Sequence, residues 1–157
     1  MTELINFIHL DQIEKEMVLK WRNHPEIKAV MHNNLNITIK EHFQFIESLK
    51  HRNDKQYFLV KEDSKAIGVI DFINITNNEA ELGIYSNPEL KGYGILLLNE
   101  ICNYAFKTLK LKLLKAEVYS TNYSAIKLYK KFNFLEVRKE QKENKEIIFM
   151  ELKNENR

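Results

Sequence analysis

Residues 79–106 read EAELGIYSNPELKGYGILLLNEICNYAF, and this stretch decides the fold. A short apolar run, Leu82-Gly83-Ile84-Tyr85, stops at the turn signal Asn87-Pro88. Lys91-Gly92-Tyr93-Gly94 follows, and then a long amphipathic segment with no breaker. Two of the chain's four glycines, Gly92 and Gly94, stand one residue apart at that junction. Glycine lets a backbone turn sharply and approach a ligand closely. At the start of a helix such a turn aims unpaired N–H groups and the positive end of the helix dipole at one point, which suits a phosphate or pyrophosphate. The reading is therefore a strand over Glu79–Ser86, a glycine turn and a helix reaching about Lys110.

Working outward, Leu98, Cys102, Ala105, Phe106 and Leu109 share one face of that helix. Cys102 is expected buried and inert, because a reactive thiol needs an electropositive and open setting. Upstream, Tyr57–Lys61 and Ala66–Ile75 are β-rich runs separated by Asp63-Ser64, so with Glu79–Ser86 they form a meander. Downstream, Lys112–Tyr119 alternates, with Leu114, Ala116 and Val118 on one face and Lys115, Glu117 and Tyr119 on the other. Asn122 caps a helix over Tyr123–Phe132, and Phe134–Arg138 and Glu146–Leu152 close as strands around a polar turn. At the N-terminus, Leu4–Leu10 is a strand. Asp11 with Glu14, and Thr38 with Glu41, are capping-box pairs that open helices over Glu14–Asn23 and Ile39–His51. The order is β-αα-βββ-α-β-α-ββ, a meander plus crossover helices, and hence an α/β (α+β) fold with a mixed central sheet.

The bulk numbers agree. A chain of 157 residues with 44% hydrophobic and 29% charged residues suits one soluble domain spanning 1–157. A net charge of +2, with lysines dispersed, is too weak to argue for nucleic acid. There is no apolar run of the ~20 residues a bilayer span requires, and no signal-peptide pattern. One cysteine excludes an internal disulfide and fits a reducing compartment. The expected location is cytoplasmic, with no membrane partner. Five histidines are scattered without ligand spacing, so no metal is expected.

Two motifs carry a family resemblance. Lys91-Gly92-Tyr93-Gly94-Ile95-Leu96 resembles the Arg/Gln-x-x-Gly-x-Gly/Ala acetyl-CoA motif of the GNAT N-acetyltransferases, with Leu96 in place of the last small residue. Asn122-x-x-Ala125-x-x-Leu128-Tyr129-x-x-x-Asn133-Phe134 resembles the family's second motif, with Asn133 in place of glycine. Asparagine tolerates a left-handed helix end, so that departure is mild. The element order is also similar to the GNAT order along essentially the whole chain.

The resemblance implies acetyl-CoA as co-substrate. The pantetheine arm would lie along Ile84 and Tyr85 like an added strand. The pyrophosphate would meet the N–H groups of Gly92, Tyr93, Gly94, Ile95 and Leu96 beside Lys91. Asn122 would touch the cofactor arm, and Tyr129 would point its hydroxyl at the thioester sulfur. The chemistry itself needs a proton acceptor for the amine and a donor for the thiolate. A thiol has a reference pKa near ~8.5 and tyrosine near ~10, so donation by Tyr129 runs uphill unless its surroundings help. Glu117 is the favoured base, with Glu81 and bulk water as the alternatives.

The acceptor face is expected on the two early helices, at Trp21, Arg22, Met31, His42 and Phe45. Arg22 suits phosphate or a planar base, and Met31 an irregular wall. The runs Trp21-Arg22-Asn23-His24-Pro25 and His42-Phe43-Gln44-Phe45 resemble the GNAT branch that acetylates the 4-amino group of a UDP-linked 4-amino-4,6-dideoxy sugar. That resemblance implies pseudaminic acid biosynthesis, the route to flagellin glycosylation. The partner expected is that UDP-amino-sugar, with a homodimer as the assembly to test. Two other readings stay open at this point: a GNAT enzyme for a protein N-terminus or another small amine, and a non-catalytic acetyl-CoA- or nucleotide-binding regulator.

Overall fold

The computed structural model describes all 157 residues. The chain opens with strand β1 (Thr2–Asn6) and a 3-10 turn at Phe7–His9. The expected strand over Leu4–Leu10 is cut short because the Asn6 side chain accepts a hydrogen bond from the Ile8 N–H and bends the backbone. Helix α1 (Gln12–Asn23) starts at the Asp11/Glu14 capping box, and α3 (Ile39–Leu49) at the Thr38/Glu41 box. Between them His24-Pro25 does not simply break the chain. Pro25 takes the first position of a one-turn helix, α2 (Pro25–Lys28), where its missing N–H is not needed.

Strands β2 (Gln56–Glu62), β3 (Lys65–Ile73) and β4 (Glu79–Ser86) form the expected antiparallel meander. Helix α4 (Gly94–Asn103) follows the glycine turn. It does not continue as a regular helix to Lys110. Residues Tyr104–Thr108 widen into a π turn in which Leu109 N–H reaches back to Tyr104 O, and Lys110 then takes a positive φ of 55°. Strand β5 (Leu113–Tyr119) leads into α5 (Tyr123–Lys131), and β6 (Leu135–Lys142) and β7 (Lys145–Lys153) close as a hairpin. That hairpin is longer than expected because Glu143, at a φ of 56°, makes the turn tight.

The seven strands lie in the order β1-β2-β3-β4-β5-β7-β6. Only β4 and β5 pair in parallel, joined by the α4 crossover. The sheet separates two cores. One packs α4 and α5 on its face through Leu97, Leu98, Ile101, Phe106 and Tyr129, and Cys102 lies there as expected. The other packs α1, α2 and α3 through Val18, Trp21, Ile27 and Ile46.

Candidate active site

The parallel pairing of β4 and β5 is brief. It covers Glu79–Glu81 against Leu113–Lys115 and then stops. Beyond it β5 stays paired to β7 as far as Tyr119, and β4 stays paired to β3 as far as Ser86. Residues Leu82–Ser86 therefore present a free edge inside the sheet, facing the outer half of β5. A free edge of this kind accepts an extended ligand as an added strand.

The turn after β4 is held rigidly. Asn87 donates its side-chain amide to Ala66 O at 3.1 Å and its backbone N–H to Ile67 O at 2.9 Å, while its side-chain oxygen accepts from Glu89 N–H. From Lys91 to Leu96 no backbone N–H has an acceptor in the chain, and the first helical bond is Leu97 N–H to Tyr93 O. Gly92 sits at a φ of 87° with open space around it. Tyr93 occupies the N-cap position without a side-chain cap, so nothing from the protein covers the helix start. Gly94 matters for packing: a Cβ there would lie 3.2 Å from the Leu128 side chain, so its absence lets α5 close on α4. The result is a run of converging amides at a helix N-terminus, chemically suited to a diphosphate.

Helix α5 supplies the phenol. Asn122 caps it, its side-chain oxygen accepting from Ala125 N–H at 3.3 Å, and Asn133 ends it at a φ of 72°. Tyr129 is buried, with its ring 5.3 Å from that of Phe134. No protein group hydrogen-bonds its hydroxyl, yet the only side-chain polar atom both enclosed and unpartnered is Nη1 of Arg22, so the hydroxyl keeps an opening. Burial, reinforced by the carboxyl of Asp71, raises its pKa well above the usual tyrosine value. It is a neutral donor throughout the physiological range.

Two carboxyls straddle the point where β4 and β5 part. Glu81 is the last residue of β4 paired with β5, and Glu117 lies two residues past its register partner Lys115. They are in contact, and burial followed by the Glu117 carboxyl pushes Glu81 up to about 7. Asn74 donates to Glu81 at 3.4 Å, His32 Nε2 lies 3.7 Å from Glu117, and Lys115 is engaged with Glu79 at 2.6 Å. A cavity of about 140 Å³ opens here, lined by Asn74, Glu81, Glu117, Arg138 and Phe149 among others. The two carboxylates weighed in the sequence as alternatives are therefore neighbours.

The acceptor-side residues divide. Trp21 and His42 are each only 6% exposed. The His42 Nε2 is bonded to Lys15 O at 2.8 Å, and burial lowers its pKa. These two hold α1 against the sheet and α3 against α1, so neither presents an open ring face. An aromatic or histidine on an amphipathic helix reads the same in sequence whether it faces a core or a cleft. Phe45 packs edge-on against Tyr57 at 5.0 Å. Arg22 is half-buried, with Nη2 donating to Asn33 O and Nη1 unpartnered beside Tyr57 and Tyr85. Met31 is half-buried, and its carbonyl accepts from the Tyr119 hydroxyl at 3.4 Å. The Tyr85 side chain turns into the second core, leaving its backbone at the gap. The sequence reading does not single out Asp71, although a lone carboxylate inside the run Ala66–Ile75 is the available signal. No three His, Cys, Asp or Glu residues are grouped to hold a metal, and no helix is long and apolar enough to cross a membrane.

A diverging parallel pair, a helix start stripped of internal partners and a buried phenol beside them define a class of acyl-CoA-using transferase. The chain belongs to the GNAT acetyltransferase family, whose domain model matches residues 7–135. Acetyltransferase PseH of Campylobacter jejuni is 46% identical over 134 residues, 85% of each chain. The crystal structure of C. jejuni N-acetyltransferase PseH in complex with acetyl coenzyme A superposes with a TM-score of 0.82 at 38% identity, covering 98% of this chain and 99% of that one. Spermidine N-acetyltransferase from Vibrio cholerae, with CoA and spermine, has a TM-score of 0.88 at 22% identity over 99% of this chain and 96% of its own, which speaks to the fold alone. The protein is an acetyl-CoA-dependent N-acetyltransferase with a mixed seven-stranded α+β sheet.

Proposed function

We propose that this enzyme moves the acetyl group of acetyl-CoA to the 4-amino group of a UDP-linked 4-amino-4,6-dideoxy sugar, in pseudaminic acid biosynthesis and so in flagellin glycosylation. The observation that carries the acetyl-CoA half is the run of unpaired amides from Lys91 to Leu96 in line with the bare edge of β4. The acceptor half rests on the likeness to PseH along 85% of the chain.

In this reading the diphosphate caps α4 and the pantetheine arm extends along Ile84 and Tyr85, with Asn122 beside it. A backbone N–H of β4 faces the thioester carbonyl as charge builds on its oxygen. The amine attacks directly, and its nitrogen bonds to the carbonyl carbon as the C–S bond breaks. Glu117, in contact with Glu81, takes the amine's proton through water. Tyr129 donates a hydrogen bond to the departing thiolate, and complete transfer of its proton runs uphill. Arg22 and Met31 face the nucleotide portion.

A defined UDP-4-amino-4,6-dideoxy sugar with acetyl-CoA should release free thiol and give a product heavier by one acetyl group, located at N4 by fragmentation mass spectrometry. Peptide N-termini and spermidine run in parallel should release far less. Preference for a peptide or a polyamine overturns the acceptor assignment. Binding of acetyl-CoA without thiol release on any amine overturns the enzymatic reading. The assembly proposed is a homodimer, and a monomer mass by light scattering overturns it.

A further inference from the structure

Asp71 is the one charged residue buried in the centre of β3, between Ile70 and Phe72. It is 9% exposed and has neither a hydrogen-bond nor an ion-pair partner. Burying an unpaired carboxylate costs stability, so a fold that keeps one needs another reason for it. The next strand leaves room for the group. Gly83 is its register partner on β4, and a Cβ built on Gly83 would overlap both carboxylate oxygens. Gly83 precedes Ile84 and Tyr85 on the edge that β5 leaves bare.

The titratable groups within electrostatic reach of Asp71 come from β2, β4, α5 and the loop ahead of β2. They are Tyr57 from β2, Glu81 and Tyr85 from β4 and Tyr129 from α5, with Lys55 ahead of β2 as the one cation that acts on it. The carboxylate oxygens are not enclosed, since an Arg22 nitrogen is the only enclosed and unpartnered side-chain polar atom. Arg22 acts on the same two tyrosines, Tyr57 and Tyr85, yet turns Nη2 to Asn33 O rather than to Asp71. An unpaired carboxylate whose oxygens stay open within electrostatic reach of the phenol suits a ligand that presents an amine.

We infer that Asp71 is an acceptor-binding residue, whose carboxylate receives the substrate's primary amine, as ammonium or as N–H donor, beside Tyr129. This rests on the acetyltransfer reading above. Asp71 exchanges no proton in the reaction. Of the ammonium's three protons, one leaves through Glu117 to water and one ends on the sulfur as the C–S bond breaks. The third stays on the nitrogen of the new amide.

The test compares the full chain with Asp71→Asn and Asp71→Ser, using acetyl-CoA and the UDP-4-amino-4,6-dideoxy sugar. Removal of a buried unpaired charge should leave melting temperature equal or higher, so both variants should fold. The acceptor KM should rise at least tenfold, while the KM for acetyl-CoA stays within twofold. Binding should add a readout that a structural role would not move: the wild type should prefer the 4-amino sugar nucleotide over its 4-hydroxy analogue, and Asp71→Asn should lose that preference. An unchanged acceptor KM, a retained preference, or an equal loss of acetyl-CoA affinity overturns the inference alone. A wild type that releases no thiol with any amine overturns the functional reading and this inference with it.

Discussion

The Tyr129 side chain is buried, and its hydroxyl is unpartnered inside the protein and held neutral. Phenylalanine fills the same space, so Tyr129→Phe should melt within a degree or two of wild type. Its kcat should fall by about 10²-fold or more, the scale of a lost proton donor in the transition state. Unchanged turnover in stopped-flow thiol detection would remove the role. Glu81 and Glu117 share the site where the amine must lose its proton, and Glu81 titrates at about 7. Activity should therefore fall as pH drops through 7. Glu117→Gln should lose most turnover on the plateau, and Glu81→Gln should keep turnover while its acidic limb moves to lower pH. If both variants keep the wild-type limb, the base lies elsewhere. Asp71, also pushed up to about 7 by burial, would leave the limb in place in both variants, and its titration is read separately through stability. A carboxyl whose folded pKa lies above its unfolded 3.8 binds protons more tightly when folded. Its contribution is fully present below pH 4 and is lost as pH rises through 7, a difference on the order of a few kcal/mol. Asp71→Asn should thus gain stability over wild type progressively from pH 4 to 7 and hold that gain above it, by chemical denaturation. At this scale the family resemblance points to Tyr129 and Glu81 and strand alternation to Glu117, and the structure sets the two carboxyls side by side. The sequence did not disclose Asp71, because only the pairing of β3 with β4 shows that Gly83 makes room for a carboxylate. The burial of Trp21 and His42 was not legible either, because helical spacing does not say which neighbour a face meets.

Elements were more legible than residues. Both capping boxes, the meander and the strand-turn-helix corner are written in short-range chemistry that does not depend on the rest of the fold. The π turn after α4 was not legible. Its apolar positions continue the 3.6-residue pattern, and the widening at Tyr104–Thr108 comes only with Leu111 N–H bonding to Ala105 O as the chain turns towards β5. The corner itself gives the element-scale prediction. Gly92 has a φ of 87° and open space around it, so Gly92→Ala meets no clash. It strains the backbone alone, at about 1 kcal/mol. Acetyl-CoA should bind more weakly to that variant while the acceptor KM changes little, because the strained turn reorients the amides after Lys91. Equal weakening of both would mean that the turn supports the fold at large rather than the diphosphate.

At the scale of the molecule, one sheet separates two cores and opens at a single seam. The α4–α5 core braces the helix start and the phenol, while the α1–α3 core braces Tyr85, with Tyr57 and Met31 packed against it. The seam follows from topology. β4 must pair with β3 on one side, β5 must pair with β7 on the other, and the one parallel ladder between them ends at Glu81 and Lys115. The sequence gives the order of elements but not where that ladder stops, since sheet twist and cross-strand packing fix the end together. The most direct measurement is a crystal structure of the protein with acetyl-CoA. The account expects the diphosphate on the amides of Gly92–Leu96, the pantetheine arm along Leu82–Ser86 in the seam, and the sulfur within hydrogen-bond reach of the Tyr129 hydroxyl. A cofactor bound outside the seam, or a sulfur turned away from Tyr129, would contradict it.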